Sequence, residues 1–481
     1  MPMSPLQKRA SDIVAELTPA LSGFHKEIWS YSESAWREYR SVKLYVDALR
    51  EEGFTVEEGS GDMPTAFHAT WGDEGPEIGM YAEYDATPGY CQDVATERRP
   101  REGLHQWAPG FTDAHSALGV AALAGAIATK RTLQESGKKG RIHLFGEPAE
   151  KVCGSKAVHA AKGYYDTLDA AIAYHPYWHN TALWDITNNL YWSAVFTFQC
   201  PENEPWGVPF FESNNVGAHN LVRSPGAIDA MTMMIQTTKV TKENMFPSTG
   251  SWTLNEAILG ASTATADNLA PRITQIQFSW RSPLIDIQEQ ILSILKNNAR
   301  HVAGITNTEV TMRWVTKTRP GLPNHTLTDA LYENLSELGA PVFDGKVVEF
   351  ANELETALGL EPSEQPFLQE TMSLVTPQDN DADVRFNLPP WQECTGADDY
   401  TEYSWHAPTV RFFTARPFLN QLGIDLWHWA NNALNGLPEA IDPCWERGGQ
   451  TIAATAIQLI EQPELIEAAS RRDVLGPGEL D

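Results

Sequence analysis

Cysteine is scarce. Five residues, Cys91, Cys153, Cys200, Cys394 and Cys444, are scattered through 481 positions. An odd number with no CxxC pair excludes a disulfide framework and a zinc ribbon, and fits a reducing, cytoplasmic setting. Basic residues are also in short supply: 35 Lys+Arg face 63 Asp+Glu, a formal net charge of −28 at pH 7. So acidic a surface repels phosphate backbones and anionic lipid headgroups, and no local basic patch offsets it, so neither nucleic acid nor a membrane surface is expected as a partner. Long apolar runs are missing. The most apolar stretch, Ala117 to Thr129, is too short to span a bilayer and reads as a buried helix. The first thirty residues mix Lys8, Arg9, Asp12, Glu16 and Lys26 among apolar positions, unlike a signal peptide. Internal repeats, GxGxxG and GxxxxGK[ST] are all absent, which removes support for a nucleotide-dependent enzyme.

What is present is a globular composition, 42% hydrophobic and 20% charged, and enough chain for two or three domains. Sixteen Trp, 14 Tyr and 18 Phe exceed the needs of a core and point to an aromatic-lined pocket. Helical spacing runs from Pro5 to Glu52 and predicts two helices. Apolar strands then alternate with helices: Ala66–Trp71, Glu77–Tyr84, a helix over Ala117–Gln134, Arg141–Phe145, a helix over Ser155–Ala161, and Ala170–Tyr174. From Tyr191 the texture changes to strand, helix, strand, helix, strand, ending at Val315, with room for one more strand before Ile273. Helical patterning resumes at Thr326, crosses a Pro- and Asp-rich segment at Thr376–Pro390 and ends in a helix at Gly449–Glu461. The expected class is α/β: a domain with a mixed central sheet flanked by helices, built from 1–189 and 318–481, interrupted by an α+β sandwich at 190–317.

Chemistry concentrates at strand-to-helix junctions, where open α/β sheets bind ligands. Glu83 and Asp85 follow one strand, Asp113 and His115 precede the Ala117 helix, Glu147 and Glu150 follow the Arg141 strand, and His175 follows Ala173. Singly, each residue reads more readily as a cap than as a ligand. Four consecutive junctions of imidazole and carboxylate suit zinc or manganese.

The segments 81–89 (YAEYDATPG), 110–119 (GFTDAHSALG), 146–151 (GEPAEK) and 173–176 (AYHP) resemble successive motifs of the aminoacylase and glutamate-carboxypeptidase family of metallohydrolases. The p-aminobenzoyl-glutamate hydrolase-like branch is the most similar. Segments 267–274 (DNLAPRIT) and 278–281 (FSWR) resemble that family's inserted lid, and 396–405 (GADDYTEYSW) and 426–428 (LWH) its C-terminal motifs. The resemblance implies a two-metal site that activates water against an amide carbonyl, a glutamate proton shuttle, and a homodimer or higher homo-oligomer formed through the inserted domain. Carried over, it implies Asp113, His115 and His175 as metal ligands, Glu150 as the acid/base and His428 as the last ligand. In the lid it implies His219, Asn268 and Arg281 as substrate-binding residues.

One departure changes the expectation. Lys151 stands where the family has a second metal-binding Glu, and a protonated ammonium cannot ligate a cation. One divalent metal per chain, manganese or zinc, is therefore expected, with Lys151 as a fixed positive charge and His428 released to contact substrate. The blander alternative has Lys151 pairing with Glu147 or Glu150 at the surface. The segment between Pro88 and Gly110 is long for this branch and carries Arg98, Arg99, Arg101, His105 and Trp107, suited to an anionic aromatic ring or else simply a solvated loop. The reading is a metal-dependent hydrolase cleaving a C–N bond of a small, anionic, carboxylate-bearing aromatic substrate. Both amide cleavage and aryl-amine removal of the 5-nitroanthranilate aminohydrolase type remain open. The competing class is a catalytically degenerate binding protein of the same fold.

Overall fold

The computed structural model describes residues 2–200, 226–248, 251–261, 271–343, 345–388 and 395–470. They form two compact units. One comprises residues 1–187, 321–387 and 399–481, and the other 188–320 and 388–398. In chain order the strands are β1 (Thr55–Glu58), β2 (Phe67–Trp71), β3 (Glu77–Ala82), β4 (Arg141–Gly146), β5 (Ala170–Tyr177), β6 (Thr181–Ala182), β7 (Asn188–Gln199), β8 (Thr253–Ala261), β9 (Ile273–Ser282), β10 (Glu309–Lys317), β11 (Thr395–Ala397) and β12 (Thr409–Ala415).

The first unit holds a seven-stranded sheet in the order β1-β2-β4-β3-β5-β12-β6. Its centre, β4-β3-β5-β12, is parallel, and antiparallel pairs close both edges, giving the expected mixed sheet. The helix His115–Ser136 is buried on nearly every side, because its Gly- and Ala-rich sequence lets neighbours approach closely. Gly119 shows how close: a Cβ there would lie 2.6 Å from the Glu83 carbonyl oxygen at the end of β3 and 2.2 Å from the Tyr45 hydroxyl. That contact seats the start of the helix against the β3 terminus. The helices Pro5–Tyr31 and Pro438–Glu461 pack beside it in the same core. The chain leaves this unit after Thr187 and re-enters at Gly321, and Thr187 Oγ1 donates to the Gly321 carbonyl at 3.0 Å. A Cβ at position 321 would lie 2.9 Å from Thr187 Cβ, so glycine fits this junction.

The second unit is an antiparallel sheet, β10-β7-β9-β8, with β11 running parallel to β7. Burial alternates strictly along β9, the mark of a sheet with one covered face. The helices Ala227–Met245 and Ile285–Thr306 share its core with Trp192, Phe196, Phe278 and Trp280. β8 fills the gap anticipated before Ile273.

Among the elements that differ from the sequence reading, β1, β6 and β11 are short strands without a local signal, and two others have a physical reason. The Pro- and Asp-rich segment contains a helix, Pro377–Asn387, started by Thr376 Oγ1 accepting the Asp379 N–H at 3.1 Å and by proline at its first position. Local patterning does not predict β12, because Arg411 breaks its apolar run. Arg411 is nevertheless buried, its guanidinium 4.5 Å from the Tyr400 ring centroid and bonded to the Tyr81 hydroxyl. No helix among the described residues is long and apolar enough to cross a membrane.

Candidate functional site

Parallel strands deliver their carboxyl ends to one edge of the sheet, and the junction residues meet there. β3 runs into Glu83 and Asp85, β4 into the 3-10 turn Glu150–Val152, and β5 carries His175, while His115 opens its helix. His115 Nε2 lies 3.2 Å from Glu83 Oε2, 3.3 Å from Glu150 Oε2 and 3.5 Å from Asp113 Oδ2. His175 Nε2 lies 3.4 Å from Asp113 Oδ1. Glu83, His115 and His175 are all buried, and each offers an atom within 4.8 Å of the other two. Glu83 is the member of this cluster that motif comparison does not single out as a ligand. Its place beside Asp85 at the end of β3 is the available signal.

The two imidazoles are oriented alike. His115 Nδ1 is 2.7 Å from Asp85 Oδ1, and His175 Nδ1 is 2.7 Å from the Pro176 carbonyl oxygen. A carbonyl only accepts, so His175 carries its proton on Nδ1, and Asp85 favours the same tautomer in His115. Both Nε2 atoms then face the carboxylates, the arrangement used by metal-ligating histidines. Burial and Lys151 push His115 toward the neutral form, but Glu83 and Asp113 outweigh them and hold its pKa well above the usual imidazole range. The cluster attracts positive charge at Nε2. Two imidazole nitrogens and several carboxylate oxygens fit a divalent metal such as zinc or manganese.

Lys151 points into this cluster. Its Nζ lies 2.8 Å from Asp113 Oδ2, 3.0 Å from His115 Nε2 and 3.3 Å from Glu150 Oε2, and the side chain is 16% exposed. Burial opposes the charge, but Asp113, Glu150 and Asp85 raise its pKa, so the ammonium is retained. Asp113 responds in the opposite sense: burial raises its pKa, Lys151 and the two histidines lower it more, and it stays ionised.

The surroundings fix these groups. The Lys156 ammonium is fully buried, 2.6 Å from both Glu83 Oε1 and Asp399 Oδ1. Glu147 lies apart from the cluster. Burial raises its pKa, but His159 and Lys156, with the Tyr165 hydroxyl, pull it down to about 2, and it also accepts from Tyr403. The turn bearing Glu150 and Lys151 is flanked by Ala149 at φ 60° and Cys153 at φ 48°, both left-handed. Glu38 Oε1 accepts the Ala149 N–H at 2.9 Å and the Trp36 N–H at 3.0 Å, and Asp85 Oδ2 accepts the Lys151 N–H at 2.9 Å.

Other anticipated residues lie elsewhere. His428 caps the short helix Trp429–Asn435, its Nδ1 accepting the Ala430 N–H at 3.2 Å, and it lines a separate cleft with Tyr90, Arg98 and Trp427. Arg281 lines a cleft of about 630 Å3 within the second unit, its guanidinium 4.7 Å from the Tyr191 ring centroid. His219 and Asn268 fall outside the described residues. In the 88–110 segment, Arg99 pairs with Asp93 and Glu97 at the surface. Arg101 is buried and donates to the carbonyls of Trp29, Ser30 and Pro109, a structural role.

No protein-family model matches the chain. It is 27% identical over 342 residues to one of the subunits of p-aminobenzoyl-glutamate hydrolase from Escherichia coli. The match covers 69% of this chain and 65% of that protein, so the chain spans just under two thirds of the relative's length. Among solved structures, a dinuclear metal-binding peptidase of the M20 family from Bacillus subtilis superposes with a TM-score of 0.50 at 13% identity, covering 93% of this chain and 99% of its own. The chain has the M20 peptidase fold. The aminobenzoyl-glutamate utilization protein from Klebsiella pneumoniae shares that fold with this chain, with a TM-score of 0.56 and 14% identity over 90% of this chain and 98% of its own. The convergence of His115, His175, Asp113 and Glu83 thus lies in a scaffold that binds two metals in the Bacillus enzyme.

Proposed function

We propose that the chain is a metal-dependent hydrolase cleaving a C–N bond of a small carboxylate-bearing aromatic substrate. The observation that carries this reading is Glu150. Its Oε2 lies 3.3 Å from His115 Nε2, beside two imidazoles whose Nε2 atoms face the same carboxylates. His115, His175 and Asp113, with Glu83 in addition, would hold one divalent ion, manganese or zinc. Bound there, that ion supplies Lewis acidity and brings the pKa of water to roughly 7. Glu150 accepts the proton that water gives up and returns it to the departing nitrogen. Lys151 contributes a permanent positive charge beside the ion and limits the site to one metal. The name of the Escherichia coli relative supports an aminobenzoyl-amino acid as the substrate class. The resemblance makes Arg281 a candidate substrate-binding residue, with a guanidinium suited to a carboxylate of the amino-acid part. The exposed Ile258 and Leu259 on edge strand β8 support association of two copies through the second unit.

Substrate assays test the reading. Manganese- or zinc-loaded protein should release amino acid from aminobenzoyl-amino acids, and Glu150→Gln should keep the metal while turnover falls about 100-fold or more. Ammonia release from aminobenzoates would assign aryl-amine hydrolysis. Tight ligand binding without turnover of either class, in wild type and variant alike, would make the protein a binder.

A further inference from the structure

Between the 88–110 segment and the loop preceding the helix Trp429–Asn435 lies a cleft of about 370 Å3. Tyr90 and Trp427 form one wall, their ring centroids 5.2 Å apart, and both are solvent-accessible, at 37% and 52%. Arg98 lines the same cleft. Unlike Arg99 and Arg101, it makes no ion pair or hydrogen bond among the described residues, so its guanidinium is available. His428 lends its Nδ1 to a backbone N–H, which places the proton of the neutral ring on Nε2 as a donor.

Two buried amides complete the lining. Gln92 is 3% exposed and Asn432 2%. Gln92 Nε2 donates to the carbonyls of Asp93 and Glu97, and Asn432 Nδ2 to that of Tyr90, so both NH2 ends are tied to the loop. Gln92 Oε1 and Asn432 Oδ1 are left buried without a hydrogen-bond partner among the described residues. The one acid in the lining, Asp425, has Oδ1 engaged by the Trp427 N–H at 2.9 Å.

We propose that this cleft is a binding site for an aminoaryl carboxylate: the ring packs on Tyr90 and Trp427, and the carboxylate meets Arg98 and His428. The ligand class rests on the hydrolase reading above, an aminoaryl carboxylate being what amide cleavage of an aminobenzoyl-amino acid releases, whereas the site rests on the cleft itself. It is also the feature that turns the 88–110 segment into a specificity element.

Titration of the metal-loaded full-length protein with 4-aminobenzoate, followed by tryptophan fluorescence and calorimetry, tests the proposal. Saturable binding is expected, with aniline and cyclohexanecarboxylate each weaker by roughly tenfold or more, as loss of one charged or stacking partner implies. Arg98→Ala should weaken 4-aminobenzoate by roughly tenfold while leaving aniline unchanged. Trp427→Leu should weaken both aromatic probes. Both residues are exposed, so these variants should fold and keep their metal content. Absence of saturable binding, or wild-type affinity for 4-aminobenzoate in both variants, overturns the site. The two readings fail separately: binding that depends on Arg98 in a protein without turnover refutes the hydrolase alone, and turnover indifferent to Arg98 and Trp427 refutes the cleft alone.

Discussion

Lys151 Nζ lies 2.8 Å from Asp113 Oδ2, in hydrogen-bond contact with a carboxylate that also faces both candidate metal-binding imidazoles. A permanent cation there repels a second ion. Wild-type protein should carry one divalent metal per chain by elemental analysis, and Lys151→Glu should move the stoichiometry toward two. Two tightly bound metals in the wild type would contradict this.

Asp85 orients two parts of the site at once, holding His115 Nδ1 at 2.7 Å and the Lys151 N–H at 2.9 Å. Asp85→Asn can present an amide N–H to Nδ1 and reverse the tautomer, which takes the lone pair off Nε2. Metal affinity, measured by chelator competition, should fall about 10- to 100-fold with the melting behaviour of the metal-free protein little changed. Undiminished affinity would remove Asp85 from this role.

Lys156 supports Glu83 from behind. Because the ion pair is wholly buried, Lys156→Met leaves the carboxylates of Glu83 and Asp399 without their countercharge. The expected cost is about 3–5 kcal/mol in urea denaturation. A loss well below that range would mean that one of these acids is protonated in the fold.

Stability should depend on pH through groups outside the metal cluster as well. Burial pushes His25, His68 and His179 down to about 3 from the ordinary 6.5, the neighbouring His143 adding to the effect on His68. These rings stay neutral in the fold while the unfolded chain takes up protons, so their stabilisation is lost as pH falls below 6.5. Glu38 has the opposite sign. Burial and then Asp85 push it up to about 7 from 4.5, so its contribution is lost as pH rises from 4.5 toward 7. Between pH 4.5 and 6 the unfolded chain holds about three more protons at the histidines and about one fewer at Glu38. These four groups together should raise unfolding free energy by roughly 3 kcal/mol per pH unit on going from 4.5 to 6. Chemical denaturation across this window measures the slope, and His179→Phe should lower it by about one proton.

The central α/β pattern is legible because its signals are local. The helix His115–Ser136 and strands β3, β4 and β5 are apolar runs bounded by turn residues, and burial on both sheet faces permits no other texture. β12 is not, since its interior arginine is accommodated by groups outside the strand, among them Tyr81, Tyr400 and the Tyr174 carbonyl. The cluster itself divides similarly. Asp113, His115, Glu150, Lys151 and His175 stand at strand-to-helix junctions and meet, whereas the position of His428 depends on how its loop folds against the 88–110 segment. Nothing in the local sequence separates Arg98 from Arg99 and Arg101. Their roles diverge only because Asp93, Glu97 and three backbone carbonyls claim the other two.

The hydrogen bond from Thr187 to the Gly321 carbonyl joins the points where the chain first departs from the first unit and returns to it. A doorway one hydrogen bond wide lets residues 188–320 change length or sequence without shifting β5, which carries His175, provided that 388–398, which pair with β7, change with them. Innovation in the insert is thereby uncoupled from the geometry of the metal-binding scaffold, and natural variation between related chains should gather on the far side of that doorway.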